Sequence, residues 1–161
     1  MHIIDPHNRK SVSVKKEDAN KVYAIAEDIF KLFGQKIGNY SNPFAIAHTQ
    51  VEREMPLAFF VINPAHLVFT DIKSVVICNP RIVRCTKSKV DSEEGCMSFA
   101  TMPKRVVQRS HKIEVEFEPL EFDENKQPYI GEKITVALSG LGARIFQHEI
   151  DHLFGKYIYE I

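Results

Sequence analysis

The sequence has no long apolar run, no excess of either charge and no even set of cysteines, and each absence excludes a class of protein. The longest apolar run, residues 57–62, is far shorter than the roughly 20 residues that a membrane-spanning helix needs. The first ten residues lack the apolar core of a secretory signal peptide. Basic and acidic residues both number 21, and this zero net charge argues against a protein that binds nucleic acid. We therefore expect a protein that is not secreted and has no membrane or nucleic acid as a direct partner.

The chain has three cysteines, Cys78, Cys85 and Cys96, and an odd number this small argues against a disulfide framework. They indicate a reducing compartment, in which at least one thiol is free for chemistry or metal binding. The 161 residues are 44% hydrophobic and 26% charged, which is ordinary globular composition. This length predicts a single domain over residues 1–161.

Two segments are predicted to be helices. In residues 16–33, apolar residues recur at helical spacing, which indicates an amphipathic helix whose apolar stripe packs on a sheet. A second helix is expected from about residue 140 to 154, with Ser139 as its N-cap and Gly155 as its stop.

Between the helices, the sequence predicts short strands and polar connections. Apolar residues alternate with glutamates over residues 112–118, which indicates a half-buried antiparallel strand. Apolar runs between turn residues predict further strands at 57–62, 67–69, 75–78 and 133–138. Loops or turns are expected at 38–43, 84–94 and 123–126. This order predicts an α+β fold with an N-terminal amphipathic helix and antiparallel sheets packed around a C-terminal metal-binding helix.

The C-terminal helix is expected to bind metal because residues 148–152 read HEIDH, an H-E-x-x-H pattern. At about 100° per residue, positions four apart lie nearly above one another, so His148 and His152 can hold one cation. Leu141 and Ile145 fall on the same face, which should turn both histidines inward. Glu149 lies beside this face, where it can reach a water on the cation but is badly placed to be a ligand.

A catalytic centre of the zinc type takes three protein ligands and leaves one position for water. Cys96 is the best third ligand, because Gly95 lets the backbone approach closely and the thiol stands among small and polar residues. A set of one cysteine and two histidines suits zinc, iron(II), nickel or cobalt. Cys78 is interpreted as structural because it lies in an apolar strand, and Cys85 as structural or surface.

Other interpretations of these residues stay open. An H-E-x-x-H pattern also arises by chance, and a lone cysteine is often only a small buried residue. A different metallopeptidase would take its third ligand after His152, where Glu160 is the sole candidate. A structural zinc site would need a fourth ligand, for which His48 is a candidate if the fold brings it close.

In two motifs the chain resembles the peptide deformylases, and the resemblance covers most of the chain from about residue 40 onward. The family's E-G-C-L-S stands here as EGCMS at residues 94–98, and its Q-H-E-x-D-H-L as QHEIDHL at 147–153. The resemblance implies a peptide deformylase, which uses a metal ion to hydrolyse the formyl group from N-formylmethionyl nascent peptides and releases formate.

A third family motif is only partly kept. The family has Gly, apolar, Gly, apolar, Ala, Ala, any residue and Gln, whereas residues 43–50 read PFAIAHTQ. Ala45 replaces a glycine whose backbone faces the peptide in the family. We expect this substitution to affect how tightly and how selectively the peptide is bound. A relative that binds formylated peptides without turnover is therefore a further alternative. His48 replaces an alanine and is interpreted as packing or facing solvent rather than as catalytic.

The resemblance also implies roles for individual residues. The metal ligands would be Cys96, His148 and His152, and Glu149 would transfer the proton. The oxyanion would be stabilised by the side-chain amide of Gln50 and the backbone N–H of Met97. The peptide groove would be formed by Phe44, Ala45, Gly95 and Met97. Glu94 and Arg109 would pair with each other and fix the segment that carries Cys96.

The family commonly uses iron(II), with zinc, nickel and cobalt as substitutes. The implied substrate is a formylated nascent peptide near the ribosome exit, and the protein is expected to be a monomer. Nine residues follow His152, which leaves no room for the extra C-terminal helix of many bacterial members. The chain thus resembles the short form found in phages and organelles. We expect it in the cytoplasm of a bacterium or phage-infected host, or in an organelle.

Overall fold

A computed structural model describes residues 1–6, 9–37, 40–41, 43–51, 55–69, 72–99 and 101–160, with the backbone alone for 36–37, 40–41, 67–69 and 160. The helices are α1 (Ala19–Phe33) and α2 (Gly140–Leu153). The strands are β1 (Lys36–Ile37), β2 (Tyr40–Ser41), β3 (Ala45–Ala47), β4 (Phe59–Ile62), β5 (Val76–Cys85), β6 (Lys89–Glu94), β7 (Arg105–Ser110), β8 (Lys112–Phe122), β9 (Pro128–Ile130) and β10 (Ile134–Ser139).

The strands form one large sheet and two small ones. The large sheet has the order β10-β8-β5-β4-β3, with β9 paired to β8, and the small sheets are β1-β2 and β6-β7. Every one of these strand pairs is antiparallel. The predicted α+β class with antiparallel sheets is confirmed.

The large sheet lies between the two helices, which explains why β4 is apolar throughout. Successive side chains of a strand point to opposite faces. Phe59 and Val61 belong to the core that includes the apolar stripe of α1, whereas Phe60 and Ile62 belong to the core under α2. The stripe predicted for the N-terminal helix is buried as expected.

One glycine in the left-handed region starts helix α2, and another lies two residues past its end. Gly140 has φ of 58° and Gly155 has φ of 77°, conformations that favour glycine. Ser139 occupies the N-cap position, although its side chain makes no capping hydrogen bond. The helix buries Phe146 against Phe60 of β4.

Some predicted elements were wrong. Residues 67–69, predicted as a strand, lie in a 3-10 helix, Pro64–Phe69, because the side chain of Asn63 accepts the Ala65 N–H at 3.1 Å and starts a turn. The charged segment 84–94, predicted as a loop, is largely strand, because a two-stranded ribbon leaves charged side chains in solvent.

Other boundaries moved. The strand expected at 57–62 begins at Phe59, and Leu57 instead makes an isolated bridge with Val12. In the predicted loop 38–43, Tyr40 and Ser41 pair with β1, while residues 38, 39 and 42 lie outside the described residues. Within the described part of the chain, no helix is long and apolar enough to cross a bilayer.

Candidate metal centre and cleft

The three predicted ligands meet between α2 and the turn that follows β6. The Nε2 atoms of His148 and His152 lie 3.0 Å apart, which their spacing of one helical turn allows. The Sγ atom of buried Cys96 lies 3.4 Å from the His152 Nε2 atom. All three ligand atoms lie within 4.8 Å of one another. Among the described residues, this is the one such group of His, Cys, Asp and Glu side chains.

The outer nitrogens of both imidazoles are engaged elsewhere. His152 Nδ1 lies 3.0 Å from the Lys156 carbonyl oxygen, and His148 Nδ1 lies 2.7 Å from a carboxylate oxygen of Glu94. Because a carbonyl and an ionised carboxylate only accept, each Nδ1 donates, and in the neutral form of each ring the Nε2 lone pair faces inward. Two inward lone pairs and a sulfur form a donor set that fits one borderline-soft divalent cation.

The two imidazoles cannot both carry a positive charge with their Nε2 atoms 3.0 Å apart. Burial and the charge of His148 push the pKa of His152 well below its ordinary value. Burial also opposes the charged form of His148, but its contacts with Cys96 and Glu94 outweigh burial and raise its pKa to about 10. The surroundings of His148 therefore stabilise a positive charge at its ring.

A buried ion pair stands behind His148. The Arg109 guanidinium donates from Nε and Nη2 to the Glu94 carboxylate at 2.9 and 2.7 Å, and from Nη1 to Asp151 at 2.6 Å. Burial would raise the pKa of Glu94, but hydrogen bonds from Arg109 and His148 lower it to about 2. Glu94 thus stays ionised and holds the His148 ring. The pairing of Glu94 with Arg109 that we predicted is present, whereas the contacts with His148 and Asp151 were missed.

Glu149 is the buried carboxylate beside the cluster. It is 4% exposed, and its Oε2 atom has no hydrogen-bond partner in the described part of the chain. Burial raises the pKa of Glu149 to about 7. A carboxylate with this pKa can take up and release a proton near neutral pH.

Gln50 approaches the cluster from the other side, in the 3-10 helix His48–Gln50. Its Oε1 atom accepts the backbone N–H of Ala47 at 2.9 Å, which fixes the orientation of the amide. Its Nε2 atom consequently donates towards Ser98 Oγ at 3.2 Å and towards Cys96 Sγ at 3.5 Å. The amide N–H group therefore points at the cluster, and Ser98 is a contact that the sequence did not reveal.

A cleft of about 500 Å³ opens on this cluster. It is lined by all four residues predicted to form the peptide groove, namely Phe44, Ala45, Gly95 and Met97, and by Gln50, Glu94, Cys96, His148 and Glu149. Leu141 and Ile145 of α2 form an apolar part of its wall. A second depression of about 420 Å³, along β5, β8 and β10, contains none of the predicted site residues.

His48 lies apart from the group formed by Cys96, His148 and His152. It is fully buried, its Nδ1 atom accepts the Leu57 N–H at 2.8 Å, and its ring packs on Phe59 at 4.9 Å between centroids. It does not belong to the group that could hold a cation, so it supplies no fourth ligand. The interpretation of His48 as a packed residue agrees with this placement.

Comparison with known proteins identifies the family. Residues 6–161 match the profile of the polypeptide deformylases. The chain is 30% identical to a peptide deformylase of Chlorobium limicola over 156 residues, which are 96% of this chain and 78% of that protein. The crystal structure of a peptide deformylase from Thermotoga maritima superposes with a TM-score of 0.75 at 27% identity, covering 99% of this chain and 95% of that one.

A plant relative is similar over a shorter stretch. The chain is 37% identical to the chloroplastic peptide deformylase 1B of Oryza sativa over 100 residues, or 62% of this chain. That match spans 33% of the rice protein, so the chain covers about a third of that relative's length. The profile match over nearly the whole chain, together with the Chlorobium relative, shows that this chain belongs to the polypeptide deformylase family.

Proposed function

We propose that this chain is a metal-dependent hydrolase that removes the formyl group from N-formylmethionyl peptides and releases formate. One observation carries the proposal: Cys96, His148 and His152 converge next to the buried carboxylate of Glu149, and Cys96, His148 and Glu149 line a cleft. Family membership adds independent support.

Cys96, His148 and His152 would hold one divalent cation, and we propose iron(II) as the native ion, with zinc, nickel or cobalt as substitutes. A bound cation of this kind supplies Lewis acidity, which lowers the pKa of water towards about 7. Glu94 contributes by fixing the tautomer of His148, and Arg109 by holding Glu94.

Glu149 would take a proton from the attacking water and deliver it to the leaving amine. The water oxygen adds to the formyl carbon, the carbon–nitrogen bond breaks, and the products are formate and a free amino terminus. The role needs a carboxylate that changes its protonation state near neutral pH, which the burial of Glu149 supports.

The oxyanion that develops on the formyl oxygen needs hydrogen-bond donors. Gln50 Nε2 points towards the Cys96 sulfur because its Oε1 atom accepts the Ala47 N–H. We propose this N–H group and the backbone N–H of Met97 as the donors. Loss of one such donor typically lowers turnover by about 100- to 1,000-fold.

The peptide would bind as an added strand along β3. This strand ends the large sheet, pairing within the described residues with β4 alone, and Ala45 at its start lines the cleft. An extended peptide can pair with such an edge. Phe44, Gly95 and Met97 complete the groove, and the methionine side chain of the substrate would lie against Leu141 and Ile145.

We propose that residues 1–161 act as one catalytic domain and as a monomer. The partners would be formylated nascent peptides near the ribosome exit, in a bacterial or phage-infected cytoplasm or in an organelle. The names of the relatives support this range, since they include bacterial and chloroplastic enzymes.

Formate release from formyl-Met-Ala-Ser, measured anaerobically with iron(II) or nickel, tests the proposal. Wild type should release formate, and Glu149→Gln should keep one metal ion per chain while losing about 100-fold or more in turnover. Glu124→Gln, in the exposed turn after β8, is the matched control. A near-normal rate for Glu149→Gln would contradict the role of that residue. Metal-loaded wild type that binds the peptide without releasing formate would favour the binding-only alternative.

A further inference from the structure

Residues 1–6 and 9–14 lie across elements that carry site groups, and we call them the N-terminal strap. The Ile4 N–H donates to the Gln50 backbone oxygen at 2.5 Å. The Ile4 carbonyl accepts the Ser98 hydroxyl at 2.7 Å. Ser11 donates from its N–H and its hydroxyl to the Leu153 carbonyl, at 3.0 and 2.9 Å, at the end of α2. One peptide segment thus contacts the Gln50 turn, the Cys96 segment and the metal-binding helix.

The contacts of Ser98 determine which way its lone pairs face. A hydroxyl has one hydrogen to donate, and that hydrogen is directed to the Ile4 carbonyl. The lone pairs of Ser98 Oγ are therefore available to Gln50 Nε2, which lies 3.2 Å away. The other end of the Gln50 amide is held by the Ala47 N–H. Both ends of this amide are thus held by neighbouring protein groups.

Ser98 is separate from the surface that a substrate would touch. It is absent from the residues that line the cleft, whereas Gln50 is among them. Any effect of Ser98 on a reaction in the cleft must therefore pass through a neighbour. That neighbour is Gln50, which donates a hydrogen bond directly to Ser98 and whose Nε2 atom also lies 3.5 Å from Cys96 Sγ.

We infer that Ser98 and Ile4 form a positioning relay that holds the Gln50 amide in its reactive orientation. This inference rests on the proposed function. Ile4 orients the Ser98 hydroxyl, and Ser98 orients the amide, which directs one N–H to the developing oxyanion and towards the Cys96 sulfur. Ser98 and Ile4 are positioning residues, since neither contacts the reacting atoms.

Turnover of Ser98→Ala tests the relay. An amide that loses its orienting acceptor is misplaced, so kcat should fall by about 10- to 100-fold while KM changes by less than about 2-fold. Ser98→Thr, which keeps the hydroxyl, should restore most of kcat. Ser13→Ala, an identical change at an exposed position of the same strap, should match wild type. A change in KM alone, or no rescue by Ser98→Thr, would overturn the inference.

The Gln50→Ala background shows whether Ser98 acts through Gln50. In that background Ser98→Ala should have no further effect on kcat, because the group it positions is gone. An equal fall of kcat with and without Gln50 would overturn the relay. Ile4→Pro removes the N–H that holds the strap on the Gln50 turn and so displaces the Ile4 carbonyl that accepts from Ser98, and it should also lower kcat only when the Gln50 side chain is present. This variant keeps the test decisive if Ser98→Ala fails to fold.

A spectroscopic readout separates the relay from the proposed reaction. In protein loaded with cobalt(II), the sulfur-to-metal charge-transfer band reports on hydrogen bonds to the Cys96 thiolate. Ser98→Ala should shift this band, and the same change in the Gln50→Ala background should leave it in place. Wild type that releases no formate would contradict the proposed function. An unmoved band in Ser98→Ala, with formate still released by wild type, would contradict the relay alone.

Discussion

Arg109 and Glu94 form a buried two-point ion pair directly behind the imidazole of His148. The Arg109 side chain is 5% exposed and the Glu94 side chain 10%, and two hydrogen bonds of 2.9 and 2.7 Å join the guanidinium to the carboxylate. Glu94 uses the same Oε1 atom to hold His148 Nδ1 at 2.7 Å. The geometry of a predicted metal ligand therefore depends on a cation from β7, more than thirty residues away in the chain.

Replacing Arg109 should be costly because Glu94 would keep its charge in a buried place. Removing one partner of a buried pair typically costs about 3–5 kcal/mol, so we expect Arg109→Met to lose that much free energy of unfolding. Urea denaturation measures the loss. Arg81→Ala breaks an exposed pair with Glu116, in which Arg81 is 68% exposed, and should cost less than about 1 kcal/mol. Equal losses in the two variants would contradict this account of the buried pair.

Cys96 should be the cysteine on which metal binding depends. Its Sγ atom lies within 4.8 Å of both histidine ligand atoms, whereas Cys85 is exposed. Cys96→Ala is expected to lose stoichiometric metal after dialysis, measured by elemental analysis, and Cys85→Ala to keep one ion per chain. Full metal content in Cys96→Ala would exclude the sulfur as a ligand.

The replacement of a family alanine by His48 should stabilise this chain. His48 Nδ1 accepts the buried N–H of Leu57 at 2.8 Å, and an unsatisfied buried donor costs roughly 1–3 kcal/mol. We expect His48→Ala to lower the free energy of unfolding by at least this amount, since the packing on Phe59 is lost as well. His48→Asn offers a replacement acceptor and should recover part of the loss. His111→Ala, at an exposed position, is the control, and an equally small effect of both alanine variants would refute the prediction.

Cys78 should make stability fall at alkaline pH. Burial raises the pKa of this thiol from 9.0 to about 12, so the folded state holds the proton more tightly than the unfolded state. The contribution is complete below pH 9 and declines between pH 9 and 12, by at most about 1.4 kcal/mol per pH unit. Urea midpoints at several pH values should show a shallower alkaline decline in Cys78→Ala than in wild type. Parallel declines would contradict the linkage.

Thiol labelling provides a separate check on Cys78. At pH 8 the folded protein should react rapidly with a thiol reagent at exposed Cys85, and at Cys78 only after unfolding. Mass spectrometry of the labelled peptides distinguishes the two sites. Rapid modification of Cys78 in the folded protein would show that it is less buried than the structure indicates.

Much of this site could be predicted from local sequence, because local geometry determines it. Two histidines four positions apart must share a face of a helix, and the meeting of the two histidines in HEIDH could be predicted on that basis. The apolar stripe of α1 and the alternation in β8 likewise follow from the periods of helices and strands. The wrong predictions, at 67–69 and 84–94, fell where short apolar or charged runs have no clear period.

The residue types of the candidate centre, the spacing of its two histidines and the family could therefore be predicted from the chain alone. The surroundings of these residues depend on tertiary packing. Arg109 pairs with both Glu94 and Asp151, Ile4 contacts Ser98, and the burial of Glu149 raises the pKa of its carboxyl group. Each of these features depends on residues far apart in the chain. Such contacts depend on how sheet, helices and strap pack against one another, and no periodicity along the chain encodes that packing.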